Sequence, residues 1–187
     1  MVVTLTNSQR EAPVSRDRMA RLARRAVRRL RIRSRGTIAI TFLGRRRMRA
    51  LNKRFLKHDY STDVLSFRYN NGTASSVQSS GFRVRGNGPQ PRTPNPEPVV
   101  GEIFVAPAMA RAYARQHGLS YEEELSRYVV HGILHWLGHE DHTKTQQANM
   151  RKMEDRLLVQ CATGLGARGS GLGRAVSSLQ PRASSRQ

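Results

Sequence analysis

Residues 120–142 read SYEEELSRYVVHGILHWLGHEDH, and the fold turns on how this stretch is read. Ser120 with Glu123 forms a capping box, which predicts a helix from Tyr121 to about Leu137. Val130, Ile133, Leu134 and Leu137 make its buried stripe, and Gly138 is its expected C-cap. Downstream, Thr143 with Gln146 opens a last helix running through Met150, Met153 and Leu157. Upstream, Pro107 starts a helix that reaches His117 and stops at Gly118. Three short β-rich segments precede these: Thr37 to Leu43, Val64 to Phe67, and Gly101 to Ala106. After Gly44 breaks the first, Arg45 to Phe55 reads as a short helix with Met48, Leu51 and Phe55 inward. The expected fold class is α/β (α+β), a single domain in which a small mixed sheet of about four strands packs against a layer of helices.

Composition sets the outer limits. The chain has 187 residues, of which 37% are apolar, with 33 Lys and Arg against 13 Asp and Glu. The formal charge is +20 and the pI near 11.7, a balance that calls for a polyanionic partner, nucleic acid first. The lone cysteine, Cys161, excludes an internal disulfide and fits a reducing compartment. No signal peptide is expected in Met1 to Arg10, and no window approaches the ~18 apolar residues of a membrane span. From Met1 to Tyr60 there are 18 Lys and Arg against the acids Glu11, Asp17 and Asp59, which is +15 of the total. Within it, Asp17 to Arg31 is a helix with Met19, Leu22, Ala23, Ala26, Val27 and Leu30 on one face and arginine on the other. A face of Arg without alternating Glu points to phosphate contact rather than a merely solvated side. Two segments lack the composition for a core: a flexible insertion at about 69–98, rich in Gly, Ser, Asn and Pro, and a disordered basic tail at 163–187. The working division is therefore a domain over 1–162 followed by that tail.

The chemistry is concentrated in HGILHWLGHEDH, residues 131–142, which holds four of the six histidines. His131 and His135 are four apart on one helix face, a spacing at which two neutral imidazoles can bind one zinc ion. Gly138 ends the helix and lets the chain double back, so that Asp141 or His142 can deliver a third ligand. Three protein ligands leave a fourth position open, the arrangement of a catalytic zinc site. A zinc protease carries Glu directly after the first His; that position is Gly132, which has no side chain to take a proton. Phosphodiester hydrolysis suits both an open zinc and the strong positive charge, with zinc activating water or polarising a phosphoryl oxygen.

Three blocks in this order resemble the YbeY-type bacterial endoribonucleases that mature ribosomal RNA. They are LNKRFLKHDYSTDVLSF (Leu51 to Phe67), GEIFVA (Gly101 to Ala106) and the histidine block with its Glu-rich helix start. Together they span about residues 15–160. The resemblance implies an α/β fold with one zinc ion per chain and cleavage of single-stranded RNA. It also implies a role in 16S rRNA 3′-end maturation and late 70S ribosome quality control, in a bacterial cytoplasm. RNA, ribosomal particles and protein partners on the ribosome follow as expected partners, and a membrane does not. His131 and His135 match the first two metal ligands. The family's third is a histidine six residues after the second, where this chain has Asp141, a legitimate zinc ligand chosen over His142 because His142 would need a one-residue bulge. A second departure is Leu56, which stands where the family usually has an arginine thought to act at the active site. No general base is assigned.

Around the block, the resemblance favours Thr62, Asp63 and Ser66 as lining the cleft, although the same residues suit a turn and strand start. Trp136 reads as core rather than as a base-stacking platform, and His58 as a surface loop residue. The rival reading is a non-catalytic ribosome-assembly factor with a structural zinc and RNA-binding arginines.

Overall fold

A computed structural model describes residues 1–70, 73–79, 82–84 and 98–162. It is built on a six-stranded mixed sheet in the order β1-β2-β6-β3-β4-β5, with five helices among the described residues. Strand β1 (Val2–Asn7), helix α1 (Arg16–Arg29) and strand β2 (Thr37–Phe42) make a parallel βαβ unit. Helix α2 (Arg45–Leu56) follows, and then strand β3 (Val64–Asn70). Strand β6 (Val99–Val105) enters between β2 and β3, parallel to the first and antiparallel to the second. Helices α3 (Pro107–His117), α4 (Tyr121–Leu137) and α5 (Lys144–Ala162) complete the described chain.

Alternation along the two central strands decides what lies on each face. Val64 of β3 and Ile103 and Val105 of β6 join Ile38, Ile40 and Phe42 in a core built with α1, α4 and α5. The intervening Leu65, Phe67 and Tyr69 point the other way, into a smaller cluster with Met48 and Leu56 of α2. Helix α1 seats Met19, Leu22, Ala23, Ala26 and Val27, the apolar stripe read from the sequence, and leaves Arg21, Arg24 and Arg28 exposed. In α2, the inward Met48 is joined by Asn52 and Leu56, while Leu51 and Phe55 are half-buried. Asn52 is tolerated there because its amide donates to the carbonyl of Tyr60 at 2.8 Å, fastening the loop that leads into β3.

The helix ends follow the caps. The Glu123 amide donates to Ser120 Oγ, and Thr143 and Gln146 cap each other reciprocally, the side-chain oxygen of each accepting from the other's amide. Pro107 opens α3, and Gly118 and Gly138 close α3 and α4 in the left-handed region. The mixed sheet against a helical layer is as the sequence implies. It extends further than the segments read as strands, however. Strand β1 pairs at the edge, where Val3 alone is fully buried, so its alternation is easily passed over. The insertion expected at about 69–98 begins inside β3 and contributes β4 (Thr73–Ser79) and β5 (Phe82–Val84), which continue the sheet antiparallel. The rest of that insertion and the tail at 163–187 lie outside the described residues.

Candidate metal centre

Helix α4 lies directly on β3 and β6, and Gly132 is the reason it can. A β-carbon at Gly132 would meet Ile103 Cγ2 at 2.5 Å and Val64 Cγ1 at 3.0 Å, while Ser66 Oγ donates to the Gly132 carbonyl at 2.9 Å. The position that a zinc protease uses for its general base is thus filled by sheet, leaving no room for a glutamate. Trp136 packs one turn along against Gly101, with its indole N–H on the Val100 carbonyl at 3.1 Å. It is a core residue, and Arg68 lies over its ring.

On another part of the same helix His131 and His135 stand one turn apart, both buried, with ring centroids 4.3 Å apart and planes at 85°. Each Nδ1 is occupied. His131 Nδ1–H donates to Glu154 Oε1 at 2.7 Å, and His135 Nδ1–H to the carbonyl of His139 at 2.9 Å. Both acceptors lack protons to give, which fixes the Nδ1–H tautomers and leaves the Nε2 lone pairs to face outward from the helix.

The C-cap supplies what those lone pairs face. With Gly138 at φ 102°, its amide returns to the His135 carbonyl and the His139 amide to that of Leu134, reversing the chain. That reversal brings the His139 carbonyl under His135 and carries Asp141 across to both rings. Asp141 Oδ2 lies 3.8 Å from His131 Nε2, and Oδ1 lies 3.7 Å from His135 Nε2. The Asp141 carbonyl in turn accepts from Gln147 of α5 at 3.1 Å. One ligand atom from each of His131, His135 and Asp141 falls within 4.8 Å of the others, so the group could hold a metal ion.

The donor set fits such an ion. Bonds of ~2.0–2.2 Å in tetrahedral geometry put neighbouring ligand atoms roughly 3.3–3.6 Å apart, a few tenths below the two His–Asp separations of 3.8 and 3.7 Å. His135 Nε2 is buried and makes no hydrogen bond among the described residues. Burial first, and the neighbouring His131 second, lower the His135 pKa to about 4, so the ring is neutral and able to ligate at neutral pH.

The other residues singled out in the sequence fall at various removes. His142 is exposed, as is His139. Asp63 is half-buried, within electrostatic reach of His135, and its Oδ1 accepts from Thr62 Oγ1 and the Val64 amide. Ser66 is spent on holding α4 to the sheet. Leu56 is buried in the cluster on the α2 face. His58 is half-buried in the loop after α2, beside Tyr60. Sequence reading missed Glu154, whose one signal is a carboxylate in the apolar stripe Met150, Leu157, Cys161 of α5.

A helix carrying two imidazoles at four-residue spacing, a glycine-capped reversal and a returning carboxylate, all backed by a mixed sheet, make this an α/β protein with a buried group that could hold a metal ion. The family model described as Endoribonuclease YbeY matches residues 4–162, and this chain belongs to that family. An Endoribonuclease YbeY of Salinibacter ruber is 38% identical over 111 residues, covering 59% of this chain and 61% of that protein. One of Chlorobaculum tepidum is 31% identical over 123 residues, covering 66% of this chain and 72% of its own length. A Thermotoga maritima protein solved in solution shares the fold at TM-score 0.52 and 18% identity, over 86% of this chain and 89% of that one.

Proposed function

We propose that this protein is a zinc-dependent endoribonuclease that cuts single-stranded RNA, with His131, His135 and Asp141 holding one zinc ion per chain. The observation that carries the reading is the paired occupation of both Nδ1 atoms, which leaves the two Nε2 atoms converging with one carboxylate. His131, His135 and Asp141 would hold the ion, and when bound it would supply Lewis-acid chemistry to a phosphodiester. The protein's own contribution is to fix the ligands before substrate arrives: α4 sets the imidazole spacing, the Gly138 reversal sets Asp141, and the sheet excludes water behind Gly132. The exposed arginines of α1 supply a counter-charge for an RNA backbone.

Membership of the YbeY family supports 16S rRNA 3′-end maturation and late 70S quality control as the setting, with ribosomal particles and ribosome-bound proteins as partners in a bacterial cytoplasm. No helix among the described residues is long and apolar enough to cross a membrane. The functional unit is the domain over 1–162.

The test measures bound metal in the purified full chain and cleavage of single-stranded against duplex RNA. About one zinc per chain and cleavage confined to single strands are expected, and both should vanish in His135→Ala. Undiminished cleavage by that variant, or by zinc-free protein, would overturn the reading. A second reading, a non-catalytic RNA-binding assembly factor, draws on the buried Leu56 where the family carries arginine. It predicts salt-sensitive RNA binding with no cleavage under any metal.

A further inference from the structure

Glu154 is buried at 3% exposure, on the face of α5 that otherwise presents Met150, Leu157 and Cys161 to the core. An ionised carboxylate so placed is expensive unless its oxygens are engaged. Both are. Oε1 accepts from His131 Nδ1–H at 2.7 Å, and Oε2 accepts from Arg127 Nη1 at 3.0 Å. Arg127 is held in turn by Asp155 Oδ1 at 2.7 Å, with Glu124 Oε2 at 3.9 Å from its Nε. Arg127 and His131 are four apart on α4, so one carboxylate reaching across from α5 engages two successive turns of the metal-bearing helix.

We propose that Glu154 is a positioning residue for the metal centre: its carboxylate, braced by Arg127, holds the His131 ring so that Nε2 presents its lone pair to the ion. The proposal rests on the metal reading of His131, His135 and Asp141. The two imidazoles are held unequally. His135 leans on a neutral backbone carbonyl, whereas His131 leans on a charge, which makes its hydrogen bond stronger and its Nε2 a better donor. A plain buried ion pair would need only Arg127. The short bond to His131 turns the pair toward the ligands.

The experiment titrates zinc into the metal-free full chain against a competing chelator, for the wild type, Glu154→Gln and Glu154→Ala. The isosteric amide keeps an acceptor and removes the charge, whereas alanine removes both. Zinc affinity should fall roughly 10-fold in Glu154→Gln and nearer 100-fold in Glu154→Ala, the range that outer-shell carboxylates command. In parallel, nitrogen-15 spectra of the wild-type metal-free protein should show His131 protonated at Nδ1, with a far-downfield ring proton that moves upfield in Glu154→Gln. Equal zinc affinity in all three proteins, or an Nε2–H tautomer at His131 in the wild type, would overturn the proposal. A wild type that binds no zinc would instead overturn the metal reading itself. Because the assays need no RNA, neither result depends on nuclease activity.

Discussion

Asp141 and His142 sit side by side in the sequence, and backbone geometry separates them: the reversal at Gly138 turns the first inward and leaves the second in solvent. Asp141→Ala should therefore abolish stoichiometric zinc binding and RNA cleavage, whereas His142→Ala should change neither; metal analysis and a cleavage assay decide it. Asp141→His should keep the metal, since imidazole at this spacing is the family's usual third donor. Gly132 offers a stability test. Even a methyl group there collides with Ile103 and Val64, so Gly132→Ala should cost about 1–3 kcal/mol in denaturant unfolding, the usual cost of overpacking. The histidines and their spacing were legible because the helix period alone puts them on one face. Glycine marked the turn but left Asp141 and His142 both open, and the choice of Asp141 came from the ligand spacing of the resembled family. Glu154 was not legible, because its partner lies 23 residues away on a different helix, and helical periodicity says nothing about which stripe meets which.

Helix α1 carries a prediction of its own. Among the described residues Arg21, Arg24 and Arg28 make no salt bridge, whereas Arg18 pairs with Glu122, and Arg25 donates to the Cys161 carbonyl at 2.7 Å. Some of the α2 cations are also engaged locally, Arg49 and Lys53 both by Asp59, whose carboxyl they hold down to about 2. Changing Arg21, Arg24 and Arg28 together to Ala should weaken binding of all single-stranded RNA sequences alike. The slope of log affinity against log salt should flatten by roughly 0.7 per lost phosphate contact. Weakening limited to one RNA sequence would indicate base readout instead, and zinc content should stay at the wild-type level throughout. At this scale the helices were the readable elements, since caps and stripes are local. The edge strand β1 and the hairpin strands β4 and β5 were less so. Their stability comes from neighbours that sequence does not name, and β4 starts in a segment whose composition resembles loop.

Across the whole molecule, the proposed metal ties three separate pieces together: α4, the reversal after it, and α5 through Glu154 and Gln147. An ion that binds the folded chain alone stabilises it by about 2.7 kcal/mol at a hundredfold excess over Kd. Stripping zinc should therefore lower Tm by roughly 5–10 °C in calorimetry. The sheet order was not legible from the sequence, since β6 comes last among the strands and yet pairs between β2 and β3. That ordering bears on how the protein comes into being. A ribosome delivers β1 through β5 before the strand that joins the two halves of the sheet, and both α4 and α5 later still. The bed on which the imidazole helix rests, Val99–Val105, has therefore already emerged when that helix leaves the ribosome, and the carboxylate proposed to steer His131 follows both. A fragment ending before α5 should accordingly take up zinc far more weakly than the full chain.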